Sequence, residues 1–226
     1  MKFNSFLFMK NAILLTKILA LLLILATNSN LFGQLHVFSP GILLNFNGIH
    51  IEGDESYFWN NGGGKIWGTS GISYGAYVSY GFSKKLHGTL ELRYIRKGSL
   101  LEFVNVYSRP DFENLKLKYI EIPILFGYKG KTKKRNYFLE TGISFAKMFQ
   151  TKLLFDDLTK KTAIPDIENF KQFDVSWIVS YKYHINKNFL LGFRISYSII
   201  SIHHTYNLRN FDYGIEFNYL LFKNLK

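Results

Sequence analysis

Strict alternation of apolar and polar residues is the feature that most limits what this chain can fold into. In residues 189–199 the odd positions are aliphatic or aromatic, whereas the even positions include glycine, arginine and serine. Residues 173–183 and 211–221 repeat this pattern. A period of two places successive side chains on opposite faces of a β-strand, so these segments are predicted strands with one apolar and one polar face.

Five earlier segments alternate in the same way, with more interruptions. They lie at 42–46, 72–80, 89–94, 119–127 and 137–145. The eight segments together predict an all-β fold. After residue 34 the sequence contains no apolar run of the roughly 18 residues that a transmembrane helix needs.

The connections between these strands differ regularly in length. Long gaps at 52–70, 99–116 and 148–171 alternate with short ones at 83–87, 129–136 and 184–188, and a medium one follows at 201–210. Outer-membrane barrels have an even number of antiparallel strands, short periplasmic turns and longer outer loops. The sequence therefore predicts an eight-stranded antiparallel up-and-down transmembrane β-barrel with both termini in the periplasm.

The N-terminal segment is predicted to be a cleavable signal peptide. Lys2, Lys10 and Lys17 precede an apolar run at 18–26, and small polar residues follow it. Such a run is too short to cross about 30 Å of hydrocarbon as a helix, which disfavours a retained inner-membrane anchor. We expect a signal peptide at 1–33 and an outer-membrane β-barrel domain at 34–226.

Composition bears on which face of the barrel points outward. The sequence is 47% hydrophobic, 18% aromatic and only 19% charged, which is a poor composition for a water-facing exterior. A soluble periplasmic lipocalin-like barrel that binds apolar ligands is the alternative, because a period of two does not say which face is inside. In a membrane barrel, tyrosines would form the two headgroup girdles. The candidates are Tyr181, Tyr183, Tyr197, Tyr213 and Tyr219.

Charged residues recur on the polar faces of the predicted strands and would point into the lumen. They are Glu91, Arg93, Glu121, Glu140, Asp174, Lys182, Arg194, Asp212 and Glu216. The interior of an eight-stranded barrel is just wide enough to be filled by side chains, and buried charges must be paired. We expect an ion-pair network rather than an open pore. The functional alternative is a proton or solute path.

Other chemical signals in the sequence are weak. Ser201, His203 and His204 lie at the outer end of the seventh predicted strand, where a surface lipid-modifying barrel enzyme would place them. No nucleophile motif, phosphate loop or metal-ligand set is recognisable, and the sequence has no cysteine. We expect no enzymatic activity and no cofactor.

Two features bear on partners. The net charge of +12 suits nucleic acid or an anionic lipid surface, and a secreted chain is expected to meet outer-membrane lipid and no nucleic acid. In the first outer connection, aromatic residues flank the glycines at 62–64, namely Tyr57, Phe58, Trp59 and Trp67. These rings are candidates for contact with an envelope protein or, alternatively, for the outer headgroup girdle.

Three motifs resemble a known family. They are LRYIRKGS at 92–99, YIEIPILFGY at 119–128 and YFLETGISFAKM at 137–148. In this pattern the sequence resembles the PorT-like outer-membrane β-barrel proteins, over nearly the whole chain after residue 41. The resemblance implies an eight-stranded barrel in the outer membrane of a Gram-negative envelope, and it implies little about activity.

Overall fold

The computed structural model describes residues 38–53, 66–104, 110–132, 135–155 and 169–221. At 66, 101–104, 110–113 and 152–155 the description covers the backbone alone. The predicted signal peptide at 1–33 and the aromatic residues at 57–59 lie outside these ranges. Within them, no helix has the length and apolar character to cross a membrane.

Nine β-strands account for almost all of the described chain. They are β1 (Phe38–Gly53), β2 (Ile66–Trp67), β3 (Thr69–Gly81), β4 (Leu86–Val104), β5 (Pro110–Lys131), β6 (Asn136–Phe155), β7 (Phe173–His184), β8 (Phe189–Ser198) and β9 (Leu208–Leu220). Only Gly68 separates β2 from β3, and both pair with β4, so they form one barrel strand. The barrel therefore has eight strands, which confirms the predicted fold class.

The sheet closes on itself. Each barrel strand lies between its neighbours in the chain, and β1 pairs antiparallel with β9, from Gly41 opposite Leu220 to Gly53 opposite Leu208. Closure leaves no sheet edge with unpaired N–H and C=O groups, and a membrane protein built from strands requires this. The architecture is an up-and-down barrel in which the first and last strands meet.

The two ends of the barrel differ. The short connections at 82–85 and 185–188, and the turn between β5 and β6, lie at the end where β1 begins and β9 stops. We call this the turn end. The strand ends that border the connections at 54–65, 105–109, 156–172 and 199–207 form the opposite end, which we call the loop end.

The apolar face of each barrel strand points outward. Phe145 is 53% exposed whereas its neighbour Ser144 is fully buried, and the same contrast separates Phe193 from Arg194. The five predicted girdle tyrosines lie on this outward face, half-buried or exposed. A lipocalin-like barrel would have the reverse arrangement, with its apolar face inside. The structure therefore excludes the soluble alternative.

β4 and β5 are longer than the alternation predicts. β4 continues to Val104 and β5 begins at Pro110, so the predicted long connection at 99–116 is wrong and only 105–109 lie between the strands. Backbone pairing persists from Gly98 opposite Lys116 to the ends of both strands. The sequence at 98–104 does not alternate, and the hydrogen-bonded ladder with β5 maintains the strand there.

An arginine in the middle of the outward apolar belt should destabilise the barrel. Ile124 is 45% exposed and lies in the ladder between Leu90 and Ile143. We expect Ile124→Arg to lower the free energy of unfolding in lipid vesicles by about 2–4 kcal/mol, and Leu86→Arg, beside the turn, by about 0–1 kcal/mol. Denaturant unfolding of the two variants measures the difference. Equal effects would contradict the orientation of the faces.

Candidate functional site

The barrel interior contains ten buried charged side chains among the described residues. They are Glu91, Arg93, Lys97, Glu121, Glu140, Asp174, Lys182, Arg194, Asp212 and Glu216, none more than 4% exposed. Nine of them are the residues placed in the lumen by the sequence, and the tenth is Lys97. Six carboxylates face four cations, which gives this interior set a formal charge of −2.

An apolar cluster lies inside the barrel at the turn end. It contains the buried residues Leu43, Tyr77, Leu190 and Leu220. The Tyr77 ring lies over Gly41, where an added Cβ atom would be 2.4 Å from the ring. Only glycine permits this approach, since any side chain would displace the ring. We refer to this cluster as the turn-end cap.

A larger apolar cluster lies inside the barrel at the loop end. We call it the loop-end cap; it comprises Ile51, Ile95, Leu115, Leu117, Tyr119, Ala146, Phe170, Ile202 and Leu208. Most of these residues belong to strands, whereas Phe170 and Ile202 come from connections. The lumen thus has three layers, with the charged side chains between two apolar caps. The charged layer overlaps the loop-end cap, because Lys97 is the register partner of Leu117 and Asp174 that of Ala146.

Arg194 on β8 makes the closest contacts of the charged layer. Its Nη1 and Nη2 atoms donate to Oε2 and Oε1 of Glu91 at 2.9 and 2.7 Å, which is a bidentate pair. Its Nε atom lies 2.8 Å from Oε2 of Glu216. Because the arginine is fully buried, these two carboxylates provide the counter-charge that water would otherwise provide.

Lys182 on β7 extends the same group of charges. Its Nζ atom lies 2.8 Å from Oε2 of Glu140, 3.4 Å from Oε1 of Glu216 and 3.5 Å from Oε1 of Glu91. The three carboxylates belong to β6, β9 and β4. One ammonium group therefore connects three other strands of the barrel across the lumen.

Glu140 has further partners on β4. Its Oε1 atom lies 2.9 Å from Nε2 of His87 and accepts a hydrogen bond of 2.9 Å from the Thr89 hydroxyl. The His87 ring fits against Gly127, where an added Cβ atom would be 2.4 Å from the ring. The carboxylate of Glu140 is thus held by β4 and β7 together.

A second group of carboxylates lies nearer the loop end. The Nζ atom of Lys97 lies 3.0 Å from Oδ2 of Asp174 and 3.4 Å from Oε1 of Glu121. Arg93 lies between the two groups, with its Nη1 atom 3.8 Å from Oε2 of Glu121 and 3.8 Å from Oε2 of Glu91. The network is therefore continuous from Lys182 to Asp174.

Sequence reasoning missed Lys97 as a residue of the lumen. On β4 the buried side chains alternate through Glu91, Arg93 and Ile95 to Lys97, so the period of two that places the first two inside applies to Lys97 as well. The predicted strand stops at 94 and the predicted connection starts at 99, which left Lys97 in neither. Extending the same parity by two residues identifies it.

Asp212 on β9 differs from the other five buried carboxylates. It is 1% exposed, yet no Lys or Arg nitrogen of the described side chains lies within 4 Å of it. Its register partners are Ser196 on β8 and Ile49 on β1, neither of which is charged. Among the described lumenal carboxylates, Asp212 is therefore the one without an ion-pair partner.

Residues of two connections complete the loop-end cap. Phe170 forms an antiparallel bridge with His203, and their rings are 5.2 Å apart. The Nδ1 atom of His203 accepts hydrogen bonds from the N–H groups of Thr205 and Tyr206 at 3.1 and 3.2 Å. His203 and Ile202 are completely buried. The connection between β8 and β9 therefore folds inward over the lumen.

The three residues considered for lipid-modifying chemistry do not converge on one point. The Ser201 hydroxyl lies 3.0 and 2.7 Å from the backbone carbonyl oxygens of His203 and Tyr206. His203 is buried whereas His204 is exposed. In the part of the chain that the structure describes, no three His, Asp or Glu residues are arranged to hold a metal ion.

A family model of the outer membrane protein beta-barrel domain matches residues 34–204. The chain belongs to this family. Membership agrees with the closed barrel and its apolar exterior, and it confirms that the protein is an integral outer-membrane barrel. The orientation of the two termini stays a prediction. Comparison with curated proteins gives no match.

Three solved structures are similar to this barrel. The attachment invasion locus protein Ail of Yersinia pestis shares 10% identity and a TM-score of 0.44, with 82% of this chain and 99% of Ail covered. Neisserial surface protein A shares 13% identity and a TM-score of 0.44, with 80% of this chain and 96% of that protein covered. OprG of Pseudomonas aeruginosa shares 13% identity and a TM-score of 0.42, with 82% of this chain and 94% of OprG covered. At these values no residue role is transferred.

Neutralising two lumenal carboxylates should have different effects. Glu216 lies 2.8 Å from Arg194 and 3.4 Å from Lys182, whereas Asp212 has no such partner among the described side chains. We expect Glu216→Gln to lower the free energy of unfolding by about 3 kcal/mol. Asp212→Asn should leave it within about 1 kcal/mol or raise it, because a carboxylate without a cation partner is removed. Denaturant unfolding of both isosteric variants tests this, and the reverse order would contradict the network.

Proposed function

We propose that this outer-membrane barrel is closed and non-conducting, and that it has a structural or partner-binding role at the cell envelope without catalysis. The observation that supports the proposal is the three-layer lumen described above. From the turn end, a hydrated solute meets an apolar cap before it reaches charged side chains, and from the loop end it meets a cap whose apolar side chains surround the first of them. Passage would then require breaking buried ion pairs, which costs about 3–5 kcal/mol for each lost partner.

We also propose that the turn end faces the periplasm. Short turns at one end and longer connections at the other are typical of outer-membrane barrels, in which the turns are periplasmic. Because β1 begins and β9 stops at the turn end, both termini are then periplasmic. The loop end accordingly faces the cell exterior.

The PorT-like assignment is a finer proposal within the family. Its support is that the three motifs fall on consecutive strands, β4, β5 and β6, and contribute to the lumen. Arg93 and Lys97 belong to the first motif, Glu121 to the second and Glu140 to the third. The motif residues thus form much of the ion-pair layer, which relates this pattern to a filled interior.

The absence of catalysis is likewise proposed from geometry. The hydroxyl of Ser201 is engaged with backbone carbonyl groups, and the His203 ring is packed against Phe170 in the loop-end cap. Such side chains stabilise a fold rather than form a nucleophile and base pair open to lipid.

A contact role is proposed for the first outer connection. Trp67 on β2 is 48% exposed and lies opposite Leu100 in the ladder with β4. Tyr57, Phe58 and Trp59 lie outside the described residues. We assign Trp67 to the headgroup girdle, because it belongs to a strand of the wall, and the other three to contact with an envelope protein.

Planar-bilayer recording tests whether the lumen is closed. Protein whose folded state is verified by heat-modifiable migration on gels should insert without producing a stable, large conductance, because the caps and the ion-pair layer fill the lumen. Arg209→Gln, which alters an outward-facing cation, should behave like the wild type. Stable, large channels from the wild-type protein would contradict the proposal.

Photo-crosslinking in intact cells tests the contact role. A probe at Trp59 should capture an envelope protein, whereas a probe at Trp67 should capture lipid, because Trp67 belongs to a strand of the barrel wall. Deletion of 57–64 leaves β2 intact and should remove the protein crosslink. Lipid as the sole product at Trp59, together with normal growth and envelope integrity after the deletion, would eliminate the partner-binding role.

A further inference from the structure

Among the described side chains, acidic residues lie almost entirely inside the barrel, whereas basic residues lie on both faces. Among the side chains that the structure describes, each Asp and Glu except Glu52 lies in the lumen. The outward faces carry Lys and Arg instead. At the loop end, neighbouring strands β4, β5 and β6 present four of them, which we call the basic patch: Arg96, Lys116, Lys118 and Lys147.

The basic patch is a feature of the barrel wall rather than of a loop. Each of its residues has a buried neighbour in the strand, which places the four side chains on the outward face. A guanidinium N–H of Arg96 donates to the backbone carbonyl of Ser70 on β3, which fixes its position. None of the four has a carboxylate oxygen within 4 Å among the described side chains.

Two cations of the basic patch face each other directly. Arg96 on β4 and Lys118 on β5 are register partners. Like charges at directly opposed positions destabilise a sheet, whereas opposite charges stabilise it. At the same end of the barrel, Glu52 on β1 is the register partner of Arg209 on β9, so the chain provides the counter-charge there. Between Arg96 and Lys118 an anion from outside the chain would remove the repulsion.

Aromatic side chains fix the level of the basic patch relative to the membrane. The rings of Tyr74 and Tyr94 stack at 4.9 Å, and Tyr94 lies 6.0 Å from Phe149. Aromatic girdles lie at the headgroup level of outer-membrane barrels. Tyr94 is two residues from Arg96 on the same face, and the patch lies on its loop-end side. The cations are therefore at the level of lipid phosphates.

We propose that the basic patch binds the phosphate groups of a phosphorylated glycolipid in the outer leaflet. The choice of leaflet rests on the proposed orientation, with the loop end outside. Arg96 can direct paired N–H donors at phosphate oxygens, and Lys118 adds a point charge on the other side. The acyl chains of the same molecule lie along the apolar outward face of β4, β5 and β6.

Native mass spectrometry of the intact barrel in neutral detergent tests this inference. The probes are purified bisphosphorylated lipid A, the same glycolipid after dephosphorylation, and phosphatidylglycerol. The test variant is Arg96→Gln with Lys118→Gln. The matched control is Lys84→Gln with Lys85→Gln, which removes the same charge from an exposed turn at the other end.

We expect the wild type and the control to retain bisphosphorylated lipid A at least about tenfold more tightly than either other probe, as charge-assisted hydrogen bonds to phosphate predict. The test variant should lose this preference. In neutral detergent without lipid it should unfold at the same or a higher temperature than the wild type, because the Arg96–Lys118 repulsion is relieved. Adding the phosphorylated probe should stabilise only the wild type and the control.

Three results would overturn the inference: equal retention by the test variant, equal retention of the dephosphorylated glycolipid, or equally tight binding of phosphatidylglycerol. Heat-modifiable migration and conductance, measured on the same preparations, report separately on the closed barrel. A folded, non-conducting barrel without lipid preference therefore rejects the lipid site alone. A conducting barrel rejects the proposed function alone.

Discussion

The bidentate pair between Arg194 and Glu91 is the interaction on which the rest of the barrel interior depends. It joins β8 to β4, which are four barrel strands apart in either direction around the sheet, so the pair crosses the lumen. A buried charge without a partner costs several kcal/mol. The neighbouring charged groups therefore lie close to groups of opposite charge. Lys182 neutralises Glu140, and Arg93 connects this group to Glu121.

The lumenal pairing also bears on where the basic residues of the sequence lie. Ten ionic side chains are buried in the lumen with a slight excess of carboxylates, so the excess of basic residues in the sequence lies outside this set. A chain with this composition attracts anionic surfaces without resembling a nucleic-acid-binding protein. Since outer-membrane barrels are in contact with charged headgroups at both ends, the excess of cations there has a physical use.

The sequence predicts the lumenal residues well where the strands alternate, and poorly at the loop end. The period of two places Glu91, Arg194 and Glu216 on the polar face, and the low charge content indicates that this face is inside. The rule loses force at the loop end. There β4 and β5 continue to Val104 and Pro110 as a paired ladder, although the sequence of β4 at 98–104 does not alternate.

The loop-end cap could not be predicted in the same way. Phe170 and Ile202 lie in connections between strands, and only the folded chain brings them into one cluster with Leu115 and Leu117. Partner choice within the charged layer is also a property of the closed barrel. The sequence identifies Asp212 and Glu216 as equivalent lumenal acids. In the folded barrel, Glu216 lies near two cations, whereas no described Lys or Arg nitrogen lies within 4 Å of Asp212.

The central claim, that the lumen is closed to water-borne solutes, can be tested with a single thiol because the chain has no cysteine. Ser180 is 1% exposed in the charged layer, whereas Ser83 lies in an exposed turn. The measurement is the labelling rate of Ser180→Cys and Ser83→Cys barrels in vesicles by a small charged thiol reagent. The account predicts rapid labelling at position 83 and none at position 180 until the barrel is unfolded. Comparable rates at both positions in the folded barrel would contradict it.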